Sequence, residues 1–419
     1  MTTSSTDFDV VVIGGGAAGF YCAVNAARLY PKLNILLLEK TDKLLSKVKV
    51  SGGGRCNVTH HCTSIAEMVK NYPRGSAFLK KAFHQHFTKD TIQWFEDRKI
   101  SLKVEVDGRM FPVTDTSQTI VDCLLNEARK HGVQIKTKSS VLKLAPITGG
   151  YVLHLQNGET ITAKKICIAA GGHQTIEKFY WLNALNLQIE PPVPSLFTFN
   201  LQQKNLTTLM GISLPKVQVK IQGTKLETTG PVLITHWGLS GPAVLKLSAL
   251  GARYLAEQRY EYNILVNWIP EFNETTAITA LAAFAQANTS SKISNRNPFS
   301  LVGRFWEYFL SQVEVSDEKR YSEFTARERN KLAKLLCSHQ LFVKGKTTFK
   351  DEFVTAGGIS LNEINHQTME SKKYPGLFFA GEILDVDGVT GGFNFQNAWT
   401  TGYIAAVALG AWKCDFTKP

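Results

Sequence analysis

No run of apolar residues in this 419-residue chain reaches the roughly 18 that a membrane-spanning helix needs, so no helical membrane protein and no membrane partner is expected. The opening MTTSSTDFDV lacks a basic stretch followed by an apolar one, which argues against a secretory leader and for a cytoplasmic location. The seven cysteines are odd in number and contain no Cys-x-x-Cys pair, so reduced thiols are expected rather than a disulfide framework. Cys56, His60, His61 and Cys62 lie close in sequence, but their spacing fits no zinc pattern and no metal is expected. After Gly19 no second Gly-x-Gly-x-x-Gly follows a strand, which excludes a dedicated nicotinamide-binding domain. Acidic residues are also short: 35 against 47 Lys and Arg, a net charge of +12. Such a surplus either draws polyanions such as RNA or forms a solvated surface.

What is present begins with FDVVVI (8–13), a strand-like apolar run, followed at once by GGGAAG and an apolar helix-like segment. NILLLE (34–39) is a second buried strand, so β–turn–α–β is complete within about 30 residues. Residues 78–99 read as helix, with Phe83, Phe87, Trp94 and Phe95 as core candidates. Residues 115–133 read as another, with Asp115 or Thr116 as N-cap and Gly132 as its stop. Successive strands follow to about 172, with a hairpin turn at Asn157-Gly158. After PPVP (191–194) the texture changes to short alternating runs, then to helical segments between 274 and 336. The reading is therefore a split α/β domain, 1–190 and 351–419, around an insert at 191–350. Within the insert a β-barrel is expected over 191–270 and 338–350, and a helical subdomain over 271–337.

Gly14-x-Gly16-x-x-Gly19 carries the strongest chemical signal. It follows a strand and opens a helix, where Gly14 permits the turn, Gly16 permits close approach of a pyrophosphate, and Gly19 permits tight helix–strand packing. The helix N-terminus presents its positive end to phosphate. Glu39, 20 residues beyond Gly19, is placed to accept hydrogen bonds from a ribose, and its carboxylate disfavours a 2′-phosphate. NAD and FAD both fit this much. SGGGRCN (51–57), ICIAAGG (166–172), GLFFAGEILD (376–385) and GVTGGFNFQNAWTTG (388–402) then add glycine-rich loops across the whole chain, and in that order they favour FAD. The last supplies N–H donors and a helix dipole suited to negative charge on a reduced flavin.

The succession GGGAAG, LLEK, SKVKVSGGGRCNVT, DGRMFPVTD, LITHWGLSGPAVL, VTAGGI and GLFFAGEILDVDGVTGGFNFQNAWTTG resembles the YhiN/BaiN-type flavoproteins over nearly the whole chain. The resemblance implies a glutathione-reductase-like FAD-binding Rossmann domain of the fumarate-reductase kind, with an inserted β-barrel and helical subdomain. It implies cofactor contacts at Gly14, Gly16, Ala18, Gly19, Glu39, Lys40, Lys47, Ser51, Gly52, Arg55, Val141, Ala170, Gly171, Gly381, Glu382, Asp387, Gly392, Phe393 and Asn394. Cys56 is a candidate proton donor and Arg109 a candidate for polarising a carbonyl or pairing an anion; the alternatives are a buried space-filler and a solvated arginine. His236 is a weaker candidate acid, or a structural histidine. Eight basic against three acidic residues over 70–103, with aromatics between them, suit single-stranded RNA unless the aromatics are core. Family membership implies hydride delivery to a C=C bond conjugated to a carbonyl, with NAD(P)H visiting as reductant. The substrate expected is a uridine of 23S ribosomal RNA, not DNA. A small enone of steroid or bile-acid type, an amine, or a non-catalytic RNA-binding role with structural FAD are the alternatives.

Overall fold

The computed structural model describes residues 6–347 and 354–411. They form two compact units, one from the segments Met1–Ser195 and Phe349–Pro419, the other from Leu196–Thr348.

The first unit is built on a seven-stranded sheet. Thr6–Ile13 lies at its centre, parallel to Ile35–Leu38 on one side and to Thr160–Ile168 on the other, and Gln134–Lys136 extends the sheet beyond Ile35–Leu38. Ile35 to Leu38 are all buried, as expected of a parallel strand covered on both faces. Thr160–Ile168 divides its outer edge. Its first half pairs antiparallel with Gly150–Leu155, and its second half pairs parallel with Leu377–Phe379, returned from the far end of the chain. Gly158, at φ +85°, makes the turn expected at Asn157-Gly158. The helices Ala17–Leu29 and Phe393–Gly410 pack together so closely that a Cβ on Gly402 would lie 2.8 Å from the Ala18 carbonyl oxygen.

Residues 78–99 are not one helix. Ser76–Ala82 and Thr88–Glu96 are separated by a turn that buries Phe83, His86 and Phe87. The second helix starts because the Phe87 N–H donates to Asp90 (2.7 Å), a local cap that competes with helix continuation. Trp94 and Phe95 are buried as the sequence predicts. In the helix Gln118–Lys130 the cap residue is Ser117, and Asp115 is drawn away by ion pairs with Lys103 and Arg55. Gly132, at φ +70°, ends that helix as predicted.

Ile189–Ser195 pairs antiparallel with Val354–Ile359 of the first unit. Residues 191–195, which composition alone placed in the insert, thus belong to the flanking unit by hydrogen bonding. The second unit begins at Leu196 and contains a closed six-stranded barrel. Its strands are Thr198–Leu201, Ser213–Ile221, Glu227–Ile234, Gly238–Ser240, Glu261–Asn267 and His339–Thr347. The helices Glu274–Ala287, Gly303–Gln312 and Ala326–Cys337 share one apolar core with it, including Trp268, Phe305, Trp306 and Phe309.

Candidate functional site

The three glycines of the first loop are needed for different reasons. A Cβ on Gly14 would lie 2.2 Å from the Ala169 carbonyl oxygen, and one on Gly19 would lie 1.9 Å from the Gly14 carbonyl oxygen. Both are required by the protein's own packing. Gly16 is different: its φ of −94° suits any residue, and a Cβ there would meet nothing within 4 Å. No protein packing demands glycine at 16, so its missing side chain leaves room for a ligand. Among the described residues the Gly16, Ala17 and Ala18 N–H groups have no protein acceptor, and the helix has no side-chain cap. Room plus unpaired donors at a helix N-terminus fits a pyrophosphate. Ala18 itself packs: a Cβ on Gly381 would lie 2.7 Å from its side chain.

Glu39 sits at the end of the second strand. Its carboxylate accepts from the Gly15 N–H (2.9 Å) and from the N–H and hydroxyl of Thr41 (2.8 and 2.9 Å), which fixes its orientation beside the loop. A cavity of about 210 Å³ opens there, lined among others by Gly14, Glu39, Lys40, Val141 and Ala170. Five residues expected to contact cofactor are thereby brought together from four segments. Gly171, at φ +73°, lies just beyond Ala170. Lys47 reaches Glu382 (2.6 Å), whose other oxygen accepts from the Thr355 N–H (2.9 Å).

A second assembly joins segments more than 300 residues apart. With its amide oriented to satisfy both ends, Asn57 accepts from the Gly392 N–H and donates to the Thr59 carbonyl, each at 2.9 Å. Thr59 donates to Gln396 (2.6 Å), Trp399 donates to the Val58 carbonyl (2.9 Å), and Tyr72 donates to the Phe393 carbonyl (2.7 Å). His60 stacks on Phe393 at 4.7 Å. These bonds hold the glycine turn Gly391-Gly392 at the start of the C-terminal helix. Gly392 has φ +91°, and a Cβ there would lie 2.6 Å from the Thr59 backbone. The protein's own packing thus requires glycine at 392, and the positive end of the helix that follows suits a developing anion. Ser51 and Gly52 interrupt the helix Ser46–Gly54 with non-helical dihedrals, turning the chain toward Arg55.

Two residues expected to contact cofactor have protein partners. Asn394 is tied to Gly388 at both ends of its amide (2.8 Å each), fastening the turn. Asp387 is fully buried, paired with Arg74 and bonded by the Ser195 hydroxyl (2.8 Å). Burial raises the Asp387 pKa while Arg74 opposes that shift. Asn394 fastens the turn through the Gly388 backbone, and Asp387 ties it to Arg74 and Ser195.

The candidate proton donor Cys56 lies in the interior. It is fully enclosed, its backbone is left-handed at φ +61°, and burial pushes its thiol up to about 12. Enclosure and a raised pKa favour the space-filling alternative over proton donation. Arg109 is half-exposed but engaged, bonded to Glu105 (2.9 Å) and Asp107 (2.7 Å). Arg55 shares Glu105 (2.6 Å) and lies over the Phe111 ring at 4.1 Å. His60, considered from sequence only as a metal ligand, pairs across the small sheet with Arg109 beside Phe393. Only the folded strand pairing makes it a site residue. His236 is exposed in the second unit.

Half of the basic residues of segment 70–103 are paired with carboxylates. Lys70, Arg74, Arg98 and Lys103 pair with Glu67, Asp387, Glu127 and Asp115. Its aromatics Phe83, Phe87, Trp94 and Phe95 are core and unable to stack on bases. Among the described residues no group of three or more His, Cys, Asp or Glu side chains is placed to hold a metal ion. No helix of the described residues is long and apolar enough to cross a membrane.

Known proteins share this arrangement. In folds, the chain is similar to an open-form flavocytochrome c3 fumarate reductase (TM-score 0.50, 16% identity, 97% of this chain and 78% of that one). It is also similar to a 3-ketosteroid Δ1-dehydrogenase from Sterolibacterium denitrificans (TM-score 0.51, 12% identity, 97% and 100%). In sequence, it is 30% identical to the ribosomal RNA dihydrouridine synthase of Escherichia coli, over 97% of this chain and 99% of that one. It is 26% identical to the 3-dehydro-bile acid Δ4,6-reductase of Clostridium scindens, over 95% and 98%. The HI0933-like protein Rossmann domain matches residues 8–408. With a Rossmann-type FAD-binding fold, a pyrophosphate-ready loop at Gly16 and a match along nearly its full length, the chain belongs to the HI0933-like family, the YhiN/BaiN-type flavoproteins.

Proposed function

We propose that this protein is a cytoplasmic FAD-dependent reductase that adds hydrogen across a C=C bond conjugated to a carbonyl, and that its substrate is a uridine of 23S ribosomal RNA. The observation that carries the reading is the end-to-end match, 30% identical, to a ribosomal RNA dihydrouridine synthase. The bile-acid Δ4,6-reductase match supports the same reaction class on a smaller enone, which is the second reading.

Bound FAD, reduced by NAD(P)H, supplies the hydride. The chain's own groups do the rest. Gly16 to Ala18 hold the pyrophosphate, and Glu39 holds the ribose. The Gly391-Gly392 turn and the N-terminus of Phe393–Gly410 stabilise negative charge at the reacting end. Arg55 and Arg109, held in place by Glu105, orient an anionic or carbonyl-bearing substrate. A uracil must leave its stack to be reduced, at a cost of a few kcal/mol on the order typical of base flipping.

The deciding test is nucleoside mass spectrometry of ribosomal RNA from cells with and without this gene. The expected outcome is loss of dihydrouridine, restored by the wild-type gene and not by Gly16→Val. The structure makes this variant a clean control, since the side chain enters space that no protein atom occupies. Unchanged dihydrouridine, with reduced flavin in the purified protein reoxidised by free enones, would replace the RNA reading with the small-molecule one.

A further inference from the structure

We infer that His173 is a cofactor-binding residue, hydrogen-bonding the adenosine-diphosphate half of FAD through Nε2. The inference rests on the flavoprotein reading and adds to it a contact that no motif marks. His173 lines the same cavity as Gly14, Glu39 and Val141, at the ends of the central strands. Its side chain is almost entirely enclosed, at 8% exposure. Yet Nε2 has no hydrogen-bond partner among the described residues.

Buried polar atoms are nearly always bonded, and an exception calls for an absent partner. The ring is not free to turn away and find one. It meets the Phe179 ring edge-on at 4.6 Å, and its own carbonyl accepts from the Thr355 hydroxyl (3.4 Å). The residue before it is equally confined, since a Cβ on Gly172 would lie 2.5 Å from that hydroxyl and 2.7 Å from Glu382. The charged groups around the ring are Lys40, Lys178, Lys47 and Glu382. Burial first, then the nearby ammonium groups, lower its pKa to about 4. At neutral pH the imidazole is uncharged, so it offers one N–H or one lone pair, a directional contact for a ring nitrogen, a hydroxyl or a phosphate oxygen. Glu39 in the same cavity marks this as the ribose end of the motif, which assigns the contact to the adenosine-diphosphate half rather than to the flavin ring.

The test compares His173→Phe, His173→Leu and His173→Gln by flavin fluorescence titration of the apoprotein with FAD, with ADP as a competitor and FMN as a probe lacking the adenosine half. The two apolar variants are expected to weaken FAD and ADP binding at least tenfold, leave FMN binding unchanged, and show apoprotein melting no lower than wild type. The last follows because an apolar ring in place of an unbonded nitrogen removes a buried unsatisfied group. His173→Gln, which retains a donor and an acceptor, recovers part of the loss. FAD and ADP affinities equal to wild type in both apolar variants would overturn the inference, as would an equal loss of FMN affinity. If the wild-type protein itself fails to bind FAD while remaining folded, the flavoprotein reading falls instead, which keeps the two failures apart.

Discussion

The two units differ in how they use charge and bare backbone. The first draws polar groups inward. It buries Asp387 against Arg74, leaves His173 Nε2 unpaired inside a cavity, and presents bare backbone at Gly16. The second buries fewer and smaller ones, among them Thr198, Thr228, Ser248 and His339, and no paired charges among its described residues. Its core is built from valines, leucines and aromatics around Trp268 and Trp306, and its charge lies on the surface. Residues 196–348 carry 18 Lys and Arg against 11 Asp and Glu, a surplus of 7 out of the chain's 12 in little more than a third of its length. The larger unit has the remaining 29 against 24. A cofactor needs fixed donors and excluded side chains; a polyanion needs unpaired surface cations. On the function proposed above, the difference assigns FAD to the first unit and makes the second the candidate RNA-facing one.

The largest expected effect separates glycines that the fold requires from the glycine reserved for ligand. Gly19→Val drives a side chain into the Gly14 carbonyl, so the first unit is expected not to fold, with loss of cooperative melting. Gly16→Val is expected to melt within a few degrees of the wild-type apoprotein and to lose FAD affinity by at least a hundredfold. Equal damage from both substitutions, read by circular dichroism and flavin content, would erase the distinction.

Much of the first unit was legible because its signals are local. A strand, a glycine turn and a helix follow one another within 30 residues, and the loops at 51–57 and 388–402 announce themselves by composition. What stayed hidden depends on distant partners. Cys56 lies in a glycine-rich loop beside Arg55, and only three-dimensional packing shows that the thiol faces inward. Asp387 resembled a cofactor ligand until Arg74, 313 residues away, appeared beside it. His60 drew notice only as a failed zinc pattern and His173 not at all; a strand pairing places one and an unpaired nitrogen marks the other. The split of 78–99 into two helices turned on one aspartate capping an N–H, a choice that periodicity does not record. The basic segment 70–103 was misleading because a charge count does not see the carboxylates that fold against it.

A middle-sized effect should appear in both units alike. His86 in the first and His339 in the second are buried, and burial lowers each pKa to about 4. The folded state therefore binds fewer protons than the unfolded chain between pH 4 and about 6.5. The stability these neutral rings permit is complete above pH 6.5 and lost as the pH falls toward 4, by up to about 3 kcal/mol for each histidine at 1.36 kcal/mol per unit. Urea unfolding of the full chain at pH 7 and pH 4.5 measures it. His339→Gln should flatten the acid response of the second unit, and His86→Gln that of the first. A response unchanged by both would assign acid sensitivity to the carboxylates instead.

The smallest effect bears most directly on the division of labour. Arg327, Lys331 and Lys334 are exposed at spacings of four and three on the helix Ala326–Cys337, so they share one face. Among the described residues none of the three has a carboxylate partner, whereas the adjacent Glu328 is turned to Lys319 (2.7 Å). Lys80, Lys81 and Lys89 in the first unit are exposed too and serve as the matched control. If the second unit meets the RNA, replacing Arg327, Lys331 and Lys334 by glutamine lowers affinity for a ribosomal RNA fragment and reduces the slope of log affinity against log salt by about 2, at roughly 0.7 per phosphate contact on a single strand. The control set should change that slope by less than half as much. Neither set touches the cavity at Glu39 or the Gly391-Gly392 turn, so flavin content and reduction by NAD(P)H stay at the wild-type level in both. Equal slopes for the two sets would mean that the charge acts only as a diffuse field, and the insert would lose its claim as the RNA-facing unit even if the reductase reading held.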